Sequence, residues 1–175
     1  MRRIAVVGIS GAGKSHYARK LHARTGLPLR HMDSLFWCGA WEAVPEAEYV
    51  ATQRALIAEE TWIIEGYIDP ALGERARAAD LIVYLDFPGV LCAWRVLLRW
   101  RRHRRVARPE LPRGAVECLS LRFLWTVLRR AERPAIEAAL RGVESARVVR
   151  VRSPRQLNLV SAAVAQEARG CLLSA

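Results

Sequence analysis

The sequence predicts an α/β fold, a parallel sheet with helices on both faces. Three observations predict it. Short apolar runs of strand length recur along the chain, stretches with helical spacing separate them, and the first run passes through a glycine-rich turn straight into a helix. The 175 residues suffice for one compact domain with its own core, expected to span 1–175.

The first strand is expected over 3–7, where Ile4, Ala5, Val6 and Val7 make the unbroken apolar run of a strand covered on both faces. Residues 8–15 follow as Gly8-Ile9-Ser10-Gly11-Ala12-Gly13-Lys14-Ser15, the spacing G-x-x-x-x-G-K-S. A helix over 14–24 comes next, with Tyr17, Ala18 and Leu21 on one side. Strand, glycine-rich turn and helix together make this pattern a phosphate-binding loop rather than an idle turn. Glycine torsions let successive N–H groups point inward at an anion, and the helix adds its positive N-terminal end. On this reading Gly8, Ser10, Gly11, Ala12, Gly13, Lys14, Ser15 and His16 bind the nucleotide. Lys14 reaches the outer phosphates, and the Ser15 hydroxyl ligates Mg²⁺.

Further strands are expected over 27–31, 62–65, 81–86 and 147–151. Helices are expected over 45–60, 71–78, 88–102, 116–130, 134–140 and 154–167, several with Pro near the first turn, where its missing N–H costs nothing. Residues 103–114, with two prolines, a glycine and dense arginine, read as a loop between two helices. Open parallel sheets bind ligands beyond the carboxyl ends of their strands. The residues there are the glycine loop, Asp33, Glu65-Gly66-Tyr67, Asp86-Phe87-Pro88 and Arg152-Ser153-Pro154.

The net charge is +11, carried almost wholly by arginine; Lys14 and Lys20 are the only lysines. Arg95, Arg99, Arg101, Arg102, Arg104, Arg105, Arg108 and Arg113 crowd one segment, opposed only by Glu110. A cluster of one sign needs anionic partners or solvent. The four cysteines, Cys38, Cys92, Cys118 and Cys171, form no C-x-x-C pair, which fits idle thiols in a reducing cytoplasm better than a zinc or disulfide framework. No apolar run is long enough to cross a bilayer, and the first residues lead into the glycine loop rather than a secretory signal.

Four groups of residues bear chemistry beyond the loop. Asp33, after the second strand, would take a proton from a substrate hydroxyl or hold a metal-bound water; an Asp here also suits a helix cap or turn. Glu65, at the third strand's end, would hold Mg²⁺ through water, with Gly66 letting an acceptor pass close; the alternative is an ordinary charged strand exit. Asp86, two residues before Pro88, reads as turn and helix-start chemistry. Phe36, Trp37, Trp41 and Tyr67 would line an acceptor pocket or join the core.

The arginine segment, about 99–115, has three readings. It is a lid that stabilises charge on a moving phosphoryl group, a solvated basic face, or a nucleic-acid surface. Arg99, Arg102, Arg105 and Arg108, three apart, would share one side if the helix continues through them, and the lid reading ranks above nucleic acid, with both roles possible. Arg102 and Arg105 are the leading catalytic arginines. The loop at Arg152 and Pro154 would cover a nucleotide base.

With these pieces assembled, the chain resembles a small P-loop kinase of the adenylate-kinase-related group and, more narrowly, the bacterial DNA topology modulation (FlaR-like) proteins. The resemblance rests on the loop with Ile4-Ala5-Val6-Val7-Gly8, His31-Met32-Asp33, Trp62-Ile63-Ile64-Glu65-Gly66-Tyr67, Leu85-Asp86-Phe87-Pro88, Trp94-Arg95-Val96-Leu97, Arg108-Pro109 and Arg152-Ser153-Pro154. It implies a three-layer P-loop NTPase fold, five parallel strands in the order 2-3-1-4-5, ATP as donor, Mg²⁺ and an arginine lid. Glu65-Gly66 stands where that family shows Asp-Gly, and His16 where Thr is common. The function this implies is phosphoryl transfer from ATP to a small acceptor. The alternatives are a nucleotide-gated nucleic-acid-binding protein or a plain NTPase.

Overall fold

The apolar runs form a five-stranded parallel sheet in a computed structural model that describes residues 2–38, 41–66, 69, 71–105, 118–143 and 146–173, without the side chains of 165 and 168–173. Its strands are β1 (Arg3–Gly8), β2 (Leu29–His31), β5 (Trp62–Glu65), β6 (Leu81–Leu85) and β7 (Arg147–Val151). Their order is β2-β5-β1-β6-β7, which in strand count along the sheet is the expected 2-3-1-4-5. Every pairing is parallel: Ile4 lies opposite Ile63 on one side and Leu81 on the other. The central strands β5 and β6 are buried along their whole length, as strands covered by helices on both faces must be. The edge strands β2 and β7 are the less buried ones.

Helices α1 (Lys14–Thr25), α3 (Glu46–Ala58), α4 (Leu72–Ala78), α5 (Gly89–His103) and α7 (Arg133–Arg141) lie close to the expected ranges, while α8 (Pro154–Leu173) starts where expected and runs on past 167. The helix expected over 116–130 is shorter: α6 spans Leu121–Leu128, and Ser120 caps it by accepting from the Phe123 N–H. Two features were not expected. A short helix α2 (Met32–Phe36) follows β2 at once, and β3 (Trp37–Cys38) pairs with β4 (Glu42–Ala43) as an antiparallel hairpin. The core gathers Trp62, Ile63, Ile64, Val6, Leu81 and Leu21 in one cluster, with Tyr17 and Tyr49 inside it.

A buried polar network fixes the chain after β5. Asp69 accepts from the Tyr49 hydroxyl (2.9 Å), Gln53 Nε2 (3.3 Å) and the Ala71 N–H (2.7 Å), while Arg75 Nη1 donates to Gln53 Oε1 (2.6 Å). Arg75 and Asp69 are an ion pair at 3.7 Å, both about 1% exposed at the side chain. Burial pushes the Tyr49 phenol well above its usual range, so it stays a donor to Asp69. Among the described residues no helix is long and apolar enough to cross a membrane.

Candidate active site

The turn after β1 has the torsions that its glycines permit. Gly11 and Gly13 take φ of +79° and +93°, and Gly13 caps α1 from the left-handed region. Gly11 has a second requirement: a Cβ there would lie 2.3 Å from the Cys92 carbonyl oxygen of α5, so the loop is pressed onto that helix. Lys14 Nζ donates back to the carbonyls of Gly8 (2.9 Å) and Ile9 (3.3 Å), arching over the turn. Arg95, one turn further along α5, donates from Nη1 to the Ala12 carbonyl at 2.9 Å and lies over the Phe87 ring at 5.0 Å.

A cleft of about 1060 Å³ opens at this loop. Ser10, Gly11, Gly13, Lys14, Ser15 and His16 line one wall, Asp33, Trp37 and Trp41 a second, and Arg95, Arg99, Arg102 and His103 of α5 a third. The sequence-selected loop residues, Asp33, Trp37 and Arg102 therefore face a common space. Gly8 and Ala12 belong to the same turn without lining the cleft. Gly66 stands behind Asp33: its φ is +124°, and a Cβ there would lie 3.2 Å from both the Asp33 N and Oδ1. Trp37 packs edge-on against Phe36 (4.7 Å) and Trp41 (5.4 Å), and Phe36 reaches Tyr49 (5.2 Å), so this aromatic group is part core and part cleft wall.

Other selected residues stand apart. Glu65 is buried at the end of β5 and does not line the cleft; His31 Nδ1 lies 2.5 Å from its Oε1, while its Oε2 is buried without a hydrogen-bond partner among the described residues. Arg105 lies past the end of α5, whose helical run stops at His103, so the shared side expected from three-residue spacing does not extend to it. Arg108 and Tyr67 fall outside the described residues. Arg152 and Pro154 do not line the cleft. They start α8: Ser153 Oγ accepts from the Gln156 N–H (3.3 Å) and Gln156 Oε1 accepts from the Arg152 N–H (3.0 Å), close to a capping box.

Three features escaped the sequence reading. Asp86 is more than a turn residue. It is buried at the end of β6, with Arg130 as one ion-pair partner and Arg133 (3.4 Å) and Arg150 (3.6 Å) as the others. Burial, and then repulsion from Arg133, lowers the Arg130 pKa from its ordinary value. Glu132 is the second. Its Oε2 accepts from the Ser10 N–H at 2.7 Å and its Oε1 from the Ser10 hydroxyl at 2.8 Å, so a carboxylate sits on the loop itself. The third is the role of Arg95 against the loop, whose residue the sequence counted only as one of a cluster. Cys92, buried beside the loop, has its thiol pushed up to about 11 by desolvation, which leaves it inert near neutrality.

The donor set suits a nucleotide triphosphate and its Mg²⁺: a glycine turn, one lysine, one helix N-terminus and the Ser15 hydroxyl. Mg²⁺ bound to phosphates needs few protein ligands, and among the described residues there is no cluster of metal-ligating side chains.

No protein-family model matches this chain, and no curated protein matches it in sequence. Solved structures match it in fold. The shikimate kinase of Acinetobacter baumannii superposes with a TM-score of 0.57 at 18% identity, over 99% of this chain and 94% of that one. A sugar kinase from a Janibacter species gives 0.54 at 17% identity, over 96% and 98%. A gluconokinase from Sinorhizobium meliloti gives 0.53 at 17% identity, over 99% and 97%. The sheet order and these superpositions show a three-layer P-loop NTPase fold, which these kinases share.

Proposed function

We propose that the protein is an ATP-dependent kinase that moves the γ-phosphoryl group to a small acceptor bearing a hydroxyl or other nucleophilic oxygen. The observation that carries this reading is a shared cleft in which the phosphate loop, Asp33 and the α5 arginines face one another. Lys14 swings from the Gly8 and Ile9 carbonyls to the outer phosphates, and the Ser15 hydroxyl holds Mg²⁺, which offsets phosphate charge. Asp33 takes the acceptor proton or orients its oxygen for in-line attack. Arg102 offsets charge on the transferring group from the cleft wall. Glu65 Oε2, buried without a hydrogen-bond partner among the described residues, is the proposed holder of a water on the metal. Trp37 and Trp41, which line the cleft, border the acceptor, with Gly66 behind Asp33.

The fold relatives include kinases of shikimate and of sugars, which supports a small polar acceptor. The narrower likeness to DNA topology modulation proteins is supported by the sequence stretches alone. The α5 arginines that line the cleft favour a phosphate-facing role over a nucleic-acid surface. The test is a screen of nucleosides, nucleotides, sugars and hydroxy acids for acceptor-stimulated ADP release. We expect at least one acceptor to stimulate release and Lys14→Ala to abolish both ATP binding and turnover. Turnover that survives Lys14→Ala, or that no acceptor stimulates, refutes the kinase reading.

A further inference from the structure

Glu132 has no part in the transfer scheme, yet it holds the loop at a defined point. Both of its oxygens are engaged by one residue, Ser10, through the backbone N–H (2.7 Å) and the hydroxyl (2.8 Å). The turn that carries it is anchored from the other side, because Arg130 and Arg133 are both paired with Asp86. The carboxylate is therefore fixed at the loop and is not a surface side chain resting there by chance.

The place on the loop matters. Lys14 Nζ, the group that reaches β- and γ-phosphates in such loops, bonds the carbonyls of Gly8 and Ile9, the two residues just before Ser10. Ser10 thus lies at the outer-phosphate end. A γ-phosphoryl group arriving there meets a carboxylate of like charge that already uses the donors of Ser10. A diphosphate lacks that group.

We propose that Glu132 is a specificity-determining residue that sets the balance between triphosphate and diphosphate binding. It competes with the outermost phosphoryl group for Ser10, and it retakes Ser10 once that group has been transferred. The Ser10–Glu132 contact also joins the phosphate loop to the start of α7, so the loop senses its outermost phosphate through the segment that returns from α6. This inference rests on the nucleotide reading of residues 8–15.

The experiment measures Kd by titration calorimetry for Mg²⁺–ADP and for a non-hydrolysable Mg²⁺–ATP analogue. The wild type, Glu132→Gln, Glu132→Ala and Glu132→Asp are compared, with thermal melts to verify folding. Removing one like charge near the γ-phosphoryl group should tighten the ATP analogue by about tenfold in the Gln and Ala variants and leave ADP within about twofold. Glu132→Asp, which keeps the charge, should retain a ratio near that of the wild type. Equal changes for both nucleotides, or none, in the uncharged variants overturn this inference while the nucleotide reading stands. Failure of the wild type to bind either nucleotide overturns both.

Discussion

The exits of β2 and β5 lie side by side, and each delivers a carboxylate with a different fate. Asp33, just past β2, lines the cleft; Glu65, the last residue of β5, is 1% exposed and lies against His31. Register separates them. His31 and Glu65 are direct partners in the parallel ladder, so their side chains leave the sheet together and meet. Asp33 sits two residues beyond His31, in α2, where the ladder no longer dictates its direction. A carboxylate at a strand exit is thus committed to a neighbour or released to a cleft by a displacement of two residues, with no change in residue type.

The largest effect expected from this contrast is on rate. Asp33→Asn keeps the size and the helix position but removes the proton acceptor, and a positioned general base contributes typically ~10²–10⁴ in rate. With an acceptor identified by the screen, kcat should fall by about that factor while the melting temperature stays near that of the wild type. A kcat within about threefold of the wild type would make Asp33 a positioning or capping residue.

Gly66 joins the two exits, since it follows Glu65 in sequence and touches Asp33 in space. Gly66→Ala forces a side chain into φ of +124° and puts its Cβ 3.2 Å from the Asp33 N and Oδ1. Left-handed backbone in a residue other than glycine costs on the order of 1–3 kcal/mol, and the displaced Asp33 adds a loss of kcat. Urea unfolding and kinetics on the same variant separate the two parts. Stability lost with kcat intact would show that Asp33 tolerates the shift and that its exact placement is not needed.

The strands were legible in the sequence because a parallel sheet covered on both faces demands continuous apolar runs, and Ile4 to Val7 and Leu81 to Leu85 supply them. The loop was legible because glycine spacing encodes local torsion, which needs no distant partner. The place of Asp33 on the cleft was legible by position alone, as a residue just past a strand's carboxyl end. Glu132 was not, because its contact with Ser10 spans 122 positions and no local spacing records it. Nor was the setting of Asp86, whose arginines come from the turn after α6, from α7 and from β7. The α2 helix and the β3–β4 hairpin were missed because elements of two to five residues carry too little periodicity to announce themselves.

The effect expected on stability rather than on rate is the one that defines the β5 exit. His31→Ala removes the ring from Glu65 Oε1, and Oε2 has no hydrogen-bond partner among the described residues, so a buried carboxylate loses its side-chain partner. Hydrogen bonds to charged groups are worth about 1.5–3 kcal/mol, and urea unfolding should register a loss in that range with an unchanged slope. If Glu65 only closes the strand, kcat and the Mg²⁺ concentration needed for half-maximal turnover should stay at wild-type values. If Oε2 holds a water on the metal, the freed carboxylate shifts and that Mg²⁺ concentration rises while kcat at saturating Mg²⁺ recovers. A stability loss below about 0.5 kcal/mol with no change in Mg²⁺ dependence would mean that the ladder alone positions Glu65, and the contrast between the two exits would then rest on backbone direction rather than on the His31 contact.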